Sequence, residues 1–137
     1  MFFKKKEKVD INSNLIEICA LLIHAAKIDE NFSEKEEEII KQTMLKIGAN
    51  NVNLDELFND AKKIEDNSNQ ILNFTKEVKN MNEQNKIQII EALWRIIYSN
   101  KEADIYETSL MRRLGGLLYV DNKVMGDIKE KIKSENL

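Results

Sequence analysis

Ile16-Glu17-Ile18-Cys19-Ala20-Leu21-Leu22-Ile23-His24-Ala25-Ala26 and, 71 residues later, Ile87-Gln88-Ile89-Ile90-Glu91-Ala92-Leu93-Trp94-Arg95-Ile96-Ile97 are the two stretches whose reading decides the fold. Laid over one another they pair Ile16 with Ile87, Ile18 with Ile89, Leu22 with Leu93 and Ala26 with Ile97. The same offset goes on to pair Ile39 with Leu110 and Ile47 with Leu118. Apolar residues three and four apart are the signature of a helix with a buried face. A fixed internal offset predicts two equivalent units, here the first and second helices mirrored by the fifth and sixth about a pseudo-twofold, with the two apolar helices packed centrally.

Working outward, the rest of the chain also reads as helix. It has no proline and four glycines, so most strand and turn punctuation is missing. The expected fold is all-α and multihelical, with about seven helices. The first covers about residues 13–28. The second follows Ser33 and stops before Gly48, a natural left-handed cap. The third follows Asn53 and buries Leu54, Leu57, Phe58, Ala61 and Ile64; the fourth, about 70–79, turns Ile71, Leu72, Phe74 and Val78 inward. The fifth, about 83–99, is apolar around most of its circumference and belongs in the middle of the domain. A sixth follows Asp104, and a seventh covers about 122–134. The domain division is a flexible basic segment, 1–12, and one helical domain, 13–137.

Composition narrows function. A chain of 137 residues with 42% hydrophobic and 33% charged residues is suited to one soluble core. Its net charge of −3 lacks the cationic footprint that nucleic acid requires. The basic cluster Lys4, Lys5, Lys6 and Lys8 is diluted by Glu7 and Asp10 and reads as a solvated start to the chain, with an anionic membrane surface as the other reading. No apolar run approaches the ~20 residues of a transmembrane helix. Cys19, the single cysteine, lies in an apolar run and reads as a buried, inert thiol, consistent with the cytoplasm. His24, the only histidine, cannot build a His-based metal set or a Ser-His-Asp triad within one chain and reads as a helix-edge residue. Glu36 and Glu37 read as a solvated helix face, and Trp94 and Phe74 as core.

The most informative pattern lies in the loops that join the repeated helices. Oxygen-bearing side chains alternate, and a carboxylate follows three residues later: Asp29, Asn31, Ser33 and Glu36 in one half, Asn100, Glu102, Asp104 and Glu107 in the other. Two readings compete. In the first, Ser33 and Asp104 are N-caps, and Glu36 and Glu107 complete capping boxes, each cap stabilising by about 1 kcal/mol. In the second, all eight residues are candidate oxygen ligands of a divalent cation, calcium or magnesium, as in the first half of a calcium loop. The glycine and the twelfth-position acid of that loop are missing, since Glu34 and Ile40, then Ile105 and Met111, stand there.

Three stretches carry a family resemblance: residues 26–36 (AKIDENFSEKE), residues 91–98 (EALWRIIY) and residues 112–120 (RRLGGLLYV). In combination and spacing they resemble the TerB (tellurite-resistance protein B) family over about residues 15–129. The resemblance implies an all-helical duplicated fold with acidic residues in both helix-connecting loops, placed here at Asp29, Glu36 and Glu107. The sequence departs from the family pattern at Ser99-Asn100-Lys101, where Ala-Asp-Gly is usual, and at Glu30, where glycine is frequent. The swap to Asn100 and Lys101 weakens any cation site in the second half.

The expected function is a non-catalytic accessory or interaction protein that recognises a protein partner, membrane-associated or not, through the acidic loops. The resemblance implies a bacterial protein linked to tellurite or stress responses and located in the cytoplasm or on the inner face of the membrane. No cofactor beyond a divalent cation is expected. The alternatives are a cation-dependent enzyme using Asp29, Glu36 and Glu107, and an adaptor that binds no metal.

Overall fold

The computed structural model describes residues 15–29, 33–49, 53–67, 72–99 and 105–135. Within them the chain forms seven α-helices, with a 3-10 turn at the end of the first and no strand. Helix α1 occupies residues 15–26 and tightens into the 3-10 turn Lys27–Asp29. Then follow α2 (Glu34–Lys46), α3 (Leu54–Asp66), α4 (Leu72–Lys79), α5 (Glu83–Tyr98), α6 (Ile105–Leu117) and α7 (Asn122–Glu135). The expected N-terminal segment 1–12 and the Ile71 and Leu72 side chains lie outside the described residues.

Both stretches of the opening alignment are buried almost all round: Ile18–Ile23, Ala25 and Ala26 on α1, and Ile89–Leu93, Ile96 and Ile97 on α5. A helix that is apolar on every side can satisfy its side chains only from the middle of a domain. α5 accordingly packs against α2, α4 and α7. The aligned pairs share their environments. Ile16 and Ile87 are half-buried, while Ile18 with Ile89, Leu22 with Leu93 and Ala26 with Ile97 are fully enclosed.

The repeat runs one helix further than the sequence reading carried it. At the same offset Leu54 of α3 falls on Met125 of α7, Leu57 on Ile128 and Ala61 on Ile132. All but the half-buried Leu54 are core residues. The unit is therefore three helices, α1–α3 and α5–α7, with α4 between the copies and packed on α5 and α6. Phe74 and Val78 of α4 enter the core as expected.

Helix ends follow local chemistry. Asn53 caps α3 by accepting from the backbone N–H groups of Asp55 and Glu56, and Asn82 caps α5 by accepting from Asn85. Behind α2, Gly48 takes φ +121°, and at the matching place behind α6, Tyr119 takes φ 57°. After α6 the Val120 N–H donates to the Gly115 carbonyl and the Tyr119 N–H to the Gly116 carbonyl, a Schellman termination. Tyr119 is 72% exposed, with its ring 4.5 Å from the Lys79 ammonium. The second half thus places a tyrosine in the backbone region that favours glycine.

Two expectations about burial are corrected. Ile64 is 38% exposed, and Glu65 is the residue that α3 turns inward. The buried stripe runs Leu57, Phe58, Ala61, Glu65, and the carboxylate continues it because His24 and Lys27 of the first unit meet it there. Glu36 is likewise enclosed rather than on a solvated face, because Ser33 holds it.

Candidate functional site

The first inter-helix loop leads into α2 through a complete capping box. The Ser33 N–H donates to Glu36 Oε1 over 3.0 Å, and the Glu36 N–H donates to Ser33 Oγ over 3.2 Å. The Ser33 hydroxyl also donates to Glu36 Oε1, 3.0 Å away. These bonds satisfy amide groups that a helix start leaves without partners, and they put a carboxylate at the positive end of the helix dipole. Glu36 is only 1% exposed. Glu107, at the matching register in the first turn of α6, is 4% exposed.

Of the eight candidate oxygen ligands, Ser33, Glu36 and Glu107 have described side chains. The side chain of Asp29 and all of Asn31, Asn100, Glu102 and Asp104 lie outside the described residues. Asp29 closes the 3-10 turn that ends α1. The capping-box reading holds for the first half. Among the described residues, no group of three or more His, Cys, Asp or Glu side chains is arranged to hold a metal ion.

Just before the first loop lies a polar tie that the sequence reading missed. His24 Nδ1 is 3.1 Å from Glu65 Oε2, and Lys27 Nζ donates to Glu65 Oε1 and to Asp66 Oδ1, each over 2.6 Å. The hydrogen bonds to Asp66 and then Glu65 raise the Lys27 pKa, and the same contact lowers that of Asp66. His24 has no acidic neighbour within a helical turn, and its partner comes from 41 residues away. A carboxylate on the apolar stripe of α3 was the available signal.

The second unit has its own tie at the matching position. Arg95, which aligns with His24, donates from Nε and Nη2 to the two carboxylate oxygens of Glu135 at 3.1 and 3.2 Å. That fork lowers the Glu135 pKa. One helical turn earlier, the Lys131 ammonium donates to the buried Glu91 carboxylate over 2.6 Å. Tyr98, at the end of α5, has its pKa raised by burial first and then by the charges of Glu130 and Glu107.

What this arrangement does chemically is to fix the two loop exits. A carboxylate buried at each N-terminal turn, and ion pairs that clamp the preceding helix to the third helix of its unit, leave little freedom to the frame carrying each loop. No helix among the described residues is long and apolar enough to cross a membrane.

No curated protein and no solved structure matches the chain. The family model described as Tellurite resistance protein TerB does match, over residues 15–130, which takes in the first three-helix unit, both loops and the second unit up to the last turn and a half of α7. A duplicated all-helical frame with an acid buried at each loop exit, matched over that length, makes this chain a member of the TerB family.

Proposed function

We propose that this protein is a non-catalytic accessory module of the TerB family that captures a protein partner through the surface around its two inter-helix loops. The observation that carries the reading is the paired burial of Glu36 and Glu107 at one register of the two units. Removing a carboxylate from water costs several kcal/mol unless hydrogen bonds compensate. Spending one at each loop exit makes sense where the loop must hold a fixed shape for something outside the chain. The proposed setting is the bacterial cytoplasm or the inner face of its membrane, within a tellurite or stress response.

In this reading a divalent cation, calcium or magnesium, is a modulator rather than a reactant. Its oxygens would come from Asp29, Asn31, Asn100, Glu102, Asp104 and Glu107, because Ser33 and Glu36 are already engaged with each other, Glu36 Oε1 accepting two hydrogen bonds from Ser33. The test neutralises both loops (D29N, E30Q, E102Q and D104N together) and compares partner capture with the parent chain. Loss of specific partners supports the reading, and retention of all of them overturns it. A parallel amide NMR titration with calcium, magnesium and zinc decides the cation part: saturable shifts confined to residues 29–36 and 100–107 support it, and a flat response at millimolar metal removes it.

A further inference from the structure

A cleft of about 120 Å³ opens where α6 and α7 meet the face of α5, with Trp94, Thr108, Arg112, Gly126 and Lys129 among its walls. The internal repeat supplies a reference for what this junction looks like when filled. In the first unit Lys41 bridges Glu37 of its own helix, at 2.8 Å, and Asp55 of α3, at 2.7 Å. Its ammonium also lies 5.3 Å from the centre of the buried Phe58 ring.

The same offset of 71 carries Lys41 to Arg112, Glu37 to Thr108, Asp55 to Gly126, Phe58 to Lys129 and Met44 to Gly115. The cation is kept, both of its carboxylates are gone, and a second cation stands where the aromatic ring was. Three of those exchanges also shrink the side chain, so space appears at the place where negative charge has been deleted. Among its described lining residues the cleft has no carboxylate, and none of the ion pairs described in the chain involves Arg112 or Lys129.

A separate observation points the same way. Trp94 is 4% exposed, and its indole Nε1 has no hydrogen-bond acceptor among the described residues. Buried N–H donors in native proteins are nearly always satisfied, so an enclosed, bare one on a residue that lines a two-cation cleft leaves a donor still to be met. Lys129 is held at the cleft with its ammonium 5.5 Å from the centre of the Trp94 ring.

We propose that this cleft binds a phosphate-sized oxyanion, which takes the place that the Glu37 and Asp55 carboxylates occupy in the first unit. Arg112 supplies a planar fork suited to two oxygens of one anion, Lys129 a second positive charge, and Thr108 a hydroxyl donor. The volume is well below the roughly 300 Å³ at which drug-sized sites begin, and suits a single oxyanion group. The shared chemistry is a phosphate, either free or as the monoester of a larger molecule.

The chain's one tryptophan makes the test direct. The ¹⁵N-labelled full chain is titrated with inorganic phosphate and, separately, with O-phosphoserine, against sodium chloride at matched ionic strength. The expected result is a saturable shift of the Trp94 indole N–H and the Arg112 Nε–H, absent with chloride; the tighter of the two probes identifies the source. Thr108→Glu, which restores the first unit's acid opposite the cation, should weaken binding at least tenfold while the amide spectrum stays folded. Lys41→Met, in the filled junction, should leave it unchanged. No saturable shift at Trp94, an equal shift with chloride, or undiminished binding by Thr108→Glu would each overturn the proposal.

Discussion

In the unit α1–α3 the polar ties are made by lysines and a histidine, each set between two carboxylates or sharing one: Lys27 with Glu65 and Asp66, Lys41 with Glu37 and Asp55, His24 with Glu65. In the unit α5–α7 the positions matching His24 and Lys41 hold arginines and the one matching Lys27 holds Tyr98; Arg95 forks onto Glu135, and Arg112 meets no carboxylate among the described ion pairs. The apolar interior is nearly the same in both, and the chemistry differs at the seams between helices. A packed core constrains both copies alike, because every apolar face must be covered. A seam is free to change charge as long as water or a ligand can take over the lost partner.

The strongest way to break this comparison is in the core it calls equivalent. Leu22→Ala and Leu93→Ala remove the same enclosed side chain from α1 and α5, and each should cost about 3–5 kcal/mol in urea unfolding. A difference much larger than the scatter of such measurements would show that one copy carries the fold and the other leans on it. Next in size is Glu36→Ala, which dismantles the first capping box and should lower stability by about 1–2 kcal/mol, read as a fall in Tm.

The helix exits give a pair with opposite signs. Gly48→Ala forces a Cβ onto φ +121° and should cost about 1 kcal/mol or more, whereas Tyr119→Gly relieves the strained position. Its gain, up to about 1 kcal/mol, is reduced by glycine's greater freedom in the unfolded chain. If Tyr119→Gly instead destabilises the protein, the contact with Lys79 outweighs the backbone strain.

A smaller effect sits between the copies. Burial first, and then the neighbouring Glu77 of α4, raise the pKa of Glu17 above its ordinary 4.5. A carboxylate whose folded pKa is raised binds its proton more tightly in the native state, so its ionisation lowers stability as pH rises through the window from 4.5 to the raised value. Glu17→Gln should therefore stabilise the protein at pH 7 by a few tenths of a kcal/mol. The advantage should vanish below pH 4.5, as thermal melts at the two pH values will tell. Of similar size is Thr108→Glu without any anion present. It restores an i,i+4 pair with Arg112 in the favourable order, and it should raise stability by about 0.3–0.5 kcal/mol at low salt.

Much of this frame was legible in the residues. The opening alignment located both central helices, Gly48 and Asn53 marked the turn between α2 and α3, and the apolar circumference of α5 announced its place. The third helix of the repeat was missed because Leu54, Leu57 and Ala61 match Met125, Ile128 and Ile132 only as a sparse stripe among charged residues. Ile64 was misplaced because hydrophobicity favours it over its neighbour Glu65 for the buried stripe, and what draws Glu65 inward instead is a histidine and a lysine about forty residues away. At the candidate loops, the short-range part was readable: Ser33 and Glu36 stand three apart and form their box. The ties formed by Glu65 and Glu135 depend on which helices come together, and no local spacing encodes that.

Cys19 sits on α1, 1% exposed, and burial pushes its thiol pKa up to about 12. In the folded chain it should be nearly inert to an alkylating reagent, so whatever modification occurs counts the moments when α1 is uncovered. Trp94 lies in the other copy, where its ring stacks on Tyr98 and faces the Lys129 ammonium of α7, so its emission reports on that side of α5. One chain thus carries a chemical clock in its first half and an optical one in its second, with no label added. Reading the two together in the same denaturant series tells whether the duplicated halves open as one event or in sequence.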